Sequence, residues 1–262
     1  MQDIRDESPV PDYAGLARFD GRTAVVLGGG NGIGRQTCHA LAQAGASVVC
    51  VDWDAGRAKA VAAEVGGIAL TADITHRDEV QQALDEAEQQ SGPIRTLVDI
   101  VGMPLTGPFT SLTDERWTEQ FNLVLTHVFL SAQIGASKIA ANGGGSMVFI
   151  SSLAGMVQIP GHIAYGIAKA GVIRLVAGLG QEYGPQRVRV NAIAPGFVRT
   201  PRVSALFSPE LWERIDGMTP LGIAGTPPEM ASVIWFLASE LASHITGQTL
   251  IVDGGLFGSM PL

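Results

Sequence analysis

The chain has 262 residues, 46% of them hydrophobic and only 16% charged, with a formal net charge of −8. That composition supplies an ample core and excludes wholesale disorder, and an acidic balance without a basic cluster argues against a nucleic-acid surface. Apolar runs are short and broken by glycine or charge, none approaching the roughly 20 residues of a membrane span, and the first twenty residues lack an apolar signal core.

Residues 1–19, acidic and proline-containing, read as a flexible or loosely draped arm ahead of a single domain spanning 20–262. From there, β-rich apolar runs alternate with longer helical patterns. Strands are expected at Thr23–Leu27, Ser47–Val51, Gly67–Ala72, Arg95–Val101, Ser146–Ser151, Val188–Ile193 and Thr249–Val252. Helices are expected at 32–45, 54–65, 76–91, 113–141, 163–183 and 227–240. Strands this apolar, with helices between them, predict an α/β domain whose parallel sheet of about seven strands is covered on both faces. The stretch 196–226 breaks the rhythm, and an insertion of that length usually borders a site. Within it Val203, Leu206, Phe207, Leu211, Trp212, Ile215 and Met218 have the spacing of an amphipathic lid, or of core packing or a subunit contact. Cys38 and Cys50 sit in apolar surroundings and read as buried free thiols of a reducing cytoplasm. The five histidines show no ligand spacing, so no metal site is expected.

The first strand runs directly into Gly28-Gly29-Gly30-Asn31-Gly32-Ile33-Gly34, which opens the first helix. Glycines permit a tight turn and close approach of backbone to a pyrophosphate, whose charge a helix N-terminus favours. The spacing is G-x-x-x-G-x-G rather than the common G-x-G-x-x-G. Asp52, eighteen residues past Gly34 at the end of the second strand, has two readings. It accepts the hydroxyls of an adenosine ribose and repels a 2′-phosphate, or it caps the helix beginning near Asp54. With no basic residue at 29–33 or 53, the first reading favours NAD over NADP. Asp73-Ile74, ending the third strand, pin an adenine or cap the turn before the next helix.

Tyr165 and Lys169 are four residues apart on an expected helix and so share a face, and Ser152 precedes the tyrosine by thirteen residues. A unit charge ~4 Å from the phenol at an effective dielectric of ~20 is worth roughly 4 kcal/mol, enough to lower a phenol pKa by up to about 3 units. Such a phenol would serve as a general acid and base, with the serine hydroxyl holding a substrate oxygen.

Together these residues resemble a short-chain dehydrogenase/reductase along nearly the whole chain, from about residue 20 to 256. The resemblance implies a Rossmann-like, doubly wound α/β fold with Gly28, Asn31, Gly32, Ile33 and Gly34 at the cofactor turn. It places the active serine on Ser152 (in Ile150-Ser151-Ser152), the tyrosine and lysine on Tyr165 and Lys169, and the helix asparagine on Asn122. Asn191 to Thr200 matches the segment beside the nicotinamide, which implies cofactor contacts at Pro195, Gly196, Val198 and Thr200. Val252-Asp253-Gly254-Gly255 matches the last strand. Two positions depart from the family pattern. Leu27 replaces the usual threonine before the turn, and Asp99-Ile100-Val101-Gly102 replaces the usual N-N-A-G, leaving Ile100 and Gly102 backbone contacts to the cofactor.

The expected activity is NAD-dependent interconversion of a secondary alcohol and a ketone, on an apolar alicyclic, aromatic or steroid-like small molecule. A 3-oxoacyl-thioester reductase and a non-catalytic NAD-binding sensor are the rivals; an enoyl reductase usually has six residues between tyrosine and lysine, against three here. The family's habit implies a cytoplasmic homo-oligomer, dimer or tetramer, assembled through 113–141 and 163–183. The apolar tail 256–262 is a second candidate for reaching a neighbouring subunit.

Overall fold

The computed structural model describes residues 8–259. Seven parallel strands form one sheet in the order β3-β2-β1-β4-β5-β6-β7. They are β1 (Thr23–Leu27), β2 (Ser47–Asp52), β3 (Ile68–Thr71), β4 (Ile94–Asp99), β5 (Gly145–Ile150), β6 (Val188–Pro195) and β7 (Thr249–Val252). Each strand lies within two residues of its expected bounds. In β1 the side chains alternate between two separate cores, Val25 and Leu27 on one face, Ala24 and Val26 on the other. That division is why its five consecutive residues are all buried and why the strand reads as an unbroken apolar run.

Helices α1 (Gly32–Gln43), α2 (Ala55–Val65) and α9 (Pro227–Ala238) cover one face; α3 (Arg77–Ser91), α5 (His127–Ala141) and α6 (Ile163–Glu182) cover the other. The order of strand addition reverses at β1, whose parallel neighbours are β2 on one side and β4 on the other. The βα turns there diverge and leave a crevice at the strands' carboxyl ends.

The long helix expected at 113–141 is not continuous. Asp114–Phe121 forms α4, Asn122–Thr126 makes a single π-helical turn, and α5 follows. One such inserted turn shifts every later side chain around the axis, which a 3.6-residue pattern cannot register. The run Asp114–Ala141 and α6 are each long and apolar enough to cross a membrane by length and composition, contrary to the expectation from uninterrupted apolar runs. Here both lie against the sheet, α5 on β4 and β5, α6 on β6, so their apolarity serves the core. Their outer faces still expose Trp117, Phe129 and Ile167.

Of the expected arm, residues 1–7 lie outside the described residues. Its end is docked: Phe19 is fully buried, its N–H bonds the Ala44 carbonyl, and the Trp235 indole donates to the Ala17 carbonyl at 3.0 Å. At the other end a short helix, α10 (Leu256–Ser259), closes the described chain; the rest of the apolar tail, 260–262, lies outside it.

Candidate active site

A cleft of about 720 Å³ occupies the crevice at the β1/β4 reversal. Its floor is the glycine-rich turn. A Cβ at Gly34 would collide with the Gly28 carbonyl and approach the Gly29 Cα to 2.9 Å, so only glycine lets α1 begin this close behind β1. Asn31 caps α1 by accepting from the Gly32 N–H at 2.8 Å. Gly28, Asn31, Gly32, Ile33 and Gly34 all border the cleft, at the positive end of a 12-residue helix.

Asp52 closes one end. It does not cap α2; Asp54 does, accepting from the Arg57 N–H at 3.0 Å. Instead Asp52 Oδ2 accepts from Gly30 N–H and Oδ1 from Asp54 N–H, both at 3.0 Å. Two backbone donors fix the carboxylate at the cleft edge, and each oxygen keeps lone-pair capacity for a further donor. Beside it stand Trp53, 71% exposed, and Arg57, whose guanidinium lies 5.9 Å from the Trp53 ring centroid. Both border the cleft and were missed in the sequence. The signal was an exposed tryptophan directly after the β2 aspartate.

Ser152, Tyr165 and Lys169 meet at the other end. The Ser151 hydroxyl donates to the Lys169 carbonyl at 2.9 Å, tying α6 to the end of β5. With that tie, Tyr165 and Ser152 border the same end of the cleft, where the serine hydroxyl favours the phenolate form of the tyrosine. Lys169 is 1% exposed; its Nζ donates to the Ile150 carbonyl at 2.8 Å and lies 5.7 Å from the Tyr165 ring centroid. Gly102 lies against the ammonium, since a Cβ there would stand 2.7 Å from Nζ, and its φ of +152° disfavours any side chain.

The depressed phenol pKa expected from the i, i+4 spacing is not what the free cleft gives. Burial pushes the Tyr165 phenol up to about 12, with the Ser152 hydrogen bond opposing. Burial also draws the Lys169 ammonium down to about 8, with the Asp99 carboxylate opposing. Desolvation acts on both members of the pair and outweighs their proximity. In this state the tyrosine is a proton donor at neutral pH.

Ile100 and Gly102 border the cleft from the end of β4, and Pro195, Gly196, Val198 and Thr200 from the end of β6. The Thr200 hydroxyl caps α7 (Pro201–Ser204) by accepting from Val203 N–H. Three expected residues are elsewhere. Asn122, the first residue of the π turn, is exposed, accepts from the Thr126 hydroxyl at 3.1 Å and is not part of the cleft lining. Asp73 is the turn cap: its Oδ1 accepts from the Thr75 N–H and hydroxyl. Ile74 is 5% exposed, within the core. A buried residue also missed, Gln120, clamps the cleft-side loop by donating to the Met103 carbonyl and accepting from Leu105 N–H.

The 203–218 segment folds chiefly on itself. Trp212, Ile215 and Ala224 form a small separate core with Phe197, Val203, Phe207 and Leu211, while Leu206 and Met218 are exposed. Arg199 pins α8 (Pro209–Met218) by pairing with Asp216 at 2.6 Å and lying 4.2 Å from the Trp212 ring centroid. Only Val203 of the expected stripe reaches the cleft, together with Arg202. His162 stacks edge-on to Tyr165 at 6.1 Å and donates to the Pro160 carbonyl, a packed histidine outside the cleft lining. Cys38 and Cys50 are buried and unbridged, and no metal-binding cluster occurs among the described residues.

A family model described as enoyl-(acyl carrier protein) reductase matches residues 28–257. The 3-oxoacyl-[acyl-carrier-protein] reductase of Aquifex aeolicus is 34% identical over 92% of this chain and 99% of its own length. Galactitol 2-dehydrogenase (L-tagatose-forming) of Cereibacter sphaeroides is 34% identical over 93% of this chain and 98% of its own. Among solved structures, 7α-hydroxysteroid dehydrogenase complexed with NADH and 7-oxo glycochenodeoxycholic acid superposes with a TM-score of 0.89. It is 32% identical over 92% of this chain and 96% of that one. With a seven-stranded parallel sheet, a glycine cradle and a Ser-Tyr-Lys group in one cleft, the chain belongs to the short-chain dehydrogenase/reductase family of oxidoreductases.

Proposed function

We propose that the protein is an NAD-dependent dehydrogenase/reductase that interconverts a secondary alcohol and a ketone. The observation that carries this reading is the continuity of one cleft from the glycine cradle to Ser152, Tyr165 and Lys169. The cradle accepts backbone-close phosphate, and the carboxylate of Asp52, held by two N–H donors, suits ribose hydroxyls and repels a 2′-phosphate. A bound nicotinamide would supply hydride transfer. Ser152 then holds the substrate oxygen, and Tyr165 gives its proton during ketone reduction or takes one during alcohol oxidation. Lys169 supplies the positive charge beneath them. The lining beyond the Ser-Tyr-Lys group includes the apolar Met103, Pro104 and Val203 beside the cation Arg202, and that apolar surface favours an alicyclic, aromatic or steroid-like substrate. The exposed apolar outer faces of α4 to α6 support assembly with further copies of this chain, and a cytoplasmic location fits the two unbridged thiols.

The test is a panel of cyclic, aromatic and steroid alcohols and ketones, with a 3-oxoacyl thioester as a separate arm. Nicotinamide absorbance is followed with NAD and with NADP. Turnover with the apolar panel, reduced at least ~10³-fold in Tyr165→Phe while NADH binding persists, supports the reading. Turnover confined to the thioester moves the substrate class to the acyl rival. Binding of NADH with no turnover anywhere makes the protein a sensor.

A further inference from the structure

Behind the cleft lies a charged group that the proposed chemistry leaves unused. Asp99, at the carboxyl end of β4, is 1% exposed, and His127 and Ser131 on α5 are fully buried. Asp99 Oδ2 accepts from His127 Nδ1 at 3.1 Å and from the Ser131 hydroxyl at 2.7 Å. Its Oδ1 accepts from the Val101 N–H at 3.2 Å. That last bond folds the strand end so that Gly102 lies against the Lys169 ammonium. Asp99 is also the register partner of Phe149 on β5, one residue from the Ile150 carbonyl that accepts the Lys169 hydrogen bond. The carboxylate therefore stands behind both backbone segments that seat the lysine. His127 Nε2 is buried without a partner, so the imidazole is committed on one side only, toward Asp99.

We propose that Asp99 is a positioning residue that acts as the buried counter-charge of Lys169, seating the ammonium beneath Tyr165, with His127 and Ser131 holding the carboxylate in its charged form. The proposal rests on the reading of Lys169 as part of the acid–base site.

Three observations agree with it. Burial pushes the Asp99 carboxyl up, but the His127 ring, the Ser131 hydroxyl and the Val101 N–H outweigh burial and hold it below the ordinary carboxylate range. Among charged side chains, the Asp99 carboxylate is the one that raises the Lys169 value against burial. The groups facing Lys169 are otherwise Tyr165 on its own helix, the Ile150 carbonyl and Ser152 from the β5 end, and the Gly102 backbone. His127 faces Asp99 from α5. An uncharged amide at position 99 preserves the shape and the acceptor for Val101 but removes the charge.

The chain's lysines are Lys59, Lys138 and Lys169, so ¹³C- or ¹⁵N-lysine NMR resolves each ammonium, with Lys169→Met as assignment. In the cofactor-free protein Lys169 should titrate near 8 and fall by about one unit in Asp99→Asn. Asparagine is the family's usual residue there, so the variant should fold; if it does not, the wild-type Asp99 carboxyl ¹³C signal must show an inflection at the Lys169 midpoint. A Lys169 titration unchanged in Asp99→Asn, or an Asp99 signal blind to Lys169, overturns the proposal. With a turned-over alcohol, the ammonium is lost at lower pH in Asp99→Asn, so the alkaline limb of kcat/KM should move to lower pH, with the rate recovering on the acid side. A pH-independent loss would mean a structural role only and overturns it too. Wild type inactive on every substrate would sink the functional reading while the NMR titration still decides the role of Asp99.

Discussion

Lys169→Met should make the protein more stable at neutral pH while destroying its activity. An ordinary lysine value of 10.5 falls to about 8 in the folded cleft. At ~1.4 kcal/mol per unit, holding that proton against burial costs the fold about 3 kcal/mol at pH 7. Methionine fills the space of the lysine stem without the charge. It also leaves the Ile150 carbonyl without its 2.8 Å donor, a loss of ~1 kcal/mol. The net gain is about 2 kcal/mol, or ~5 °C in Tm for a domain of this size. The pH dependence gives the sharper check. Because the folded value lies below the unfolded one, the folded chain releases this proton first, and between about 8 and 10.5 the unfolded chain binds more. Wild-type stability therefore climbs with pH across that window, and the variant's advantage shrinks. Tyr165 pulls the other way, since its folded value of about 12 exceeds the ordinary 10.0, but that loss begins near pH 10 and is common to both proteins. Thermal and urea unfolding at pH 7 and 9.5 decides the matter. A variant less stable than wild type at pH 7, or a gap that stays constant between the two pH values, refutes the claim that Lys169 is held charged against burial.

Other perturbations follow from the same geometry. Gly34→Ala places a methyl group on backbone that cannot yield, at the Gly28 carbonyl and Gly29 Cα; it should cost about 2–3 kcal/mol and weaken NADH binding at least ~10-fold, read by Tm and NADH fluorescence. Asp52→Asn puts an amide N–H₂ against the Gly30 or Asp54 N–H, lowering Tm by a few degrees, and removes the charge that repels a 2′-phosphate. The ratio of kcat/KM for NAD over NADP should fall at least ~10-fold, a change of about 1.4 kcal/mol; an unchanged ratio would show that Asp52 does not set cofactor choice.

The fold was legible because the central strands are buried on both faces and their apolar runs are therefore unbroken, as in Thr23–Leu27. The glycine turn was legible for a related reason, since backbone-to-backbone contact at Gly34 admits no other residue. Asn122 was not legible. The expected role ran through the helix backbone, and the π turn at Asn122–Thr126 changes that backbone by an irregularity that no side-chain pattern announces. Asp73 shows a different limit: the adenine-pinning and turn-capping roles draw on the same residue type, and only the short contacts to Thr75 speak for the cap.

The altered end of β4 joins these two lessons. In the sequence, Asp99 in place of an asparagine looks like a lost cofactor brace, because its compensating partners are 28 and 32 residues away. In the fold those partners are on α5, immediately behind the strand, and they convert the substitution into a buried, hydrogen-bonded carboxylate. An isolated buried carboxylate would take up a proton rather than stay charged. The His127 ring, the Ser131 hydroxyl and the Val101 N–H are what keep it ionised, and an ionised group one strand behind Lys169 opposes the desolvation that would otherwise discharge the ammonium. Position 99 and the histidine at 127 must then vary together. His127→Phe should raise the Asp99 carboxyl toward the ordinary range and lower the Lys169 value in turn, measured by the same lysine NMR titration; a Lys169 midpoint that ignores His127→Phe would separate the histidine from this arrangement.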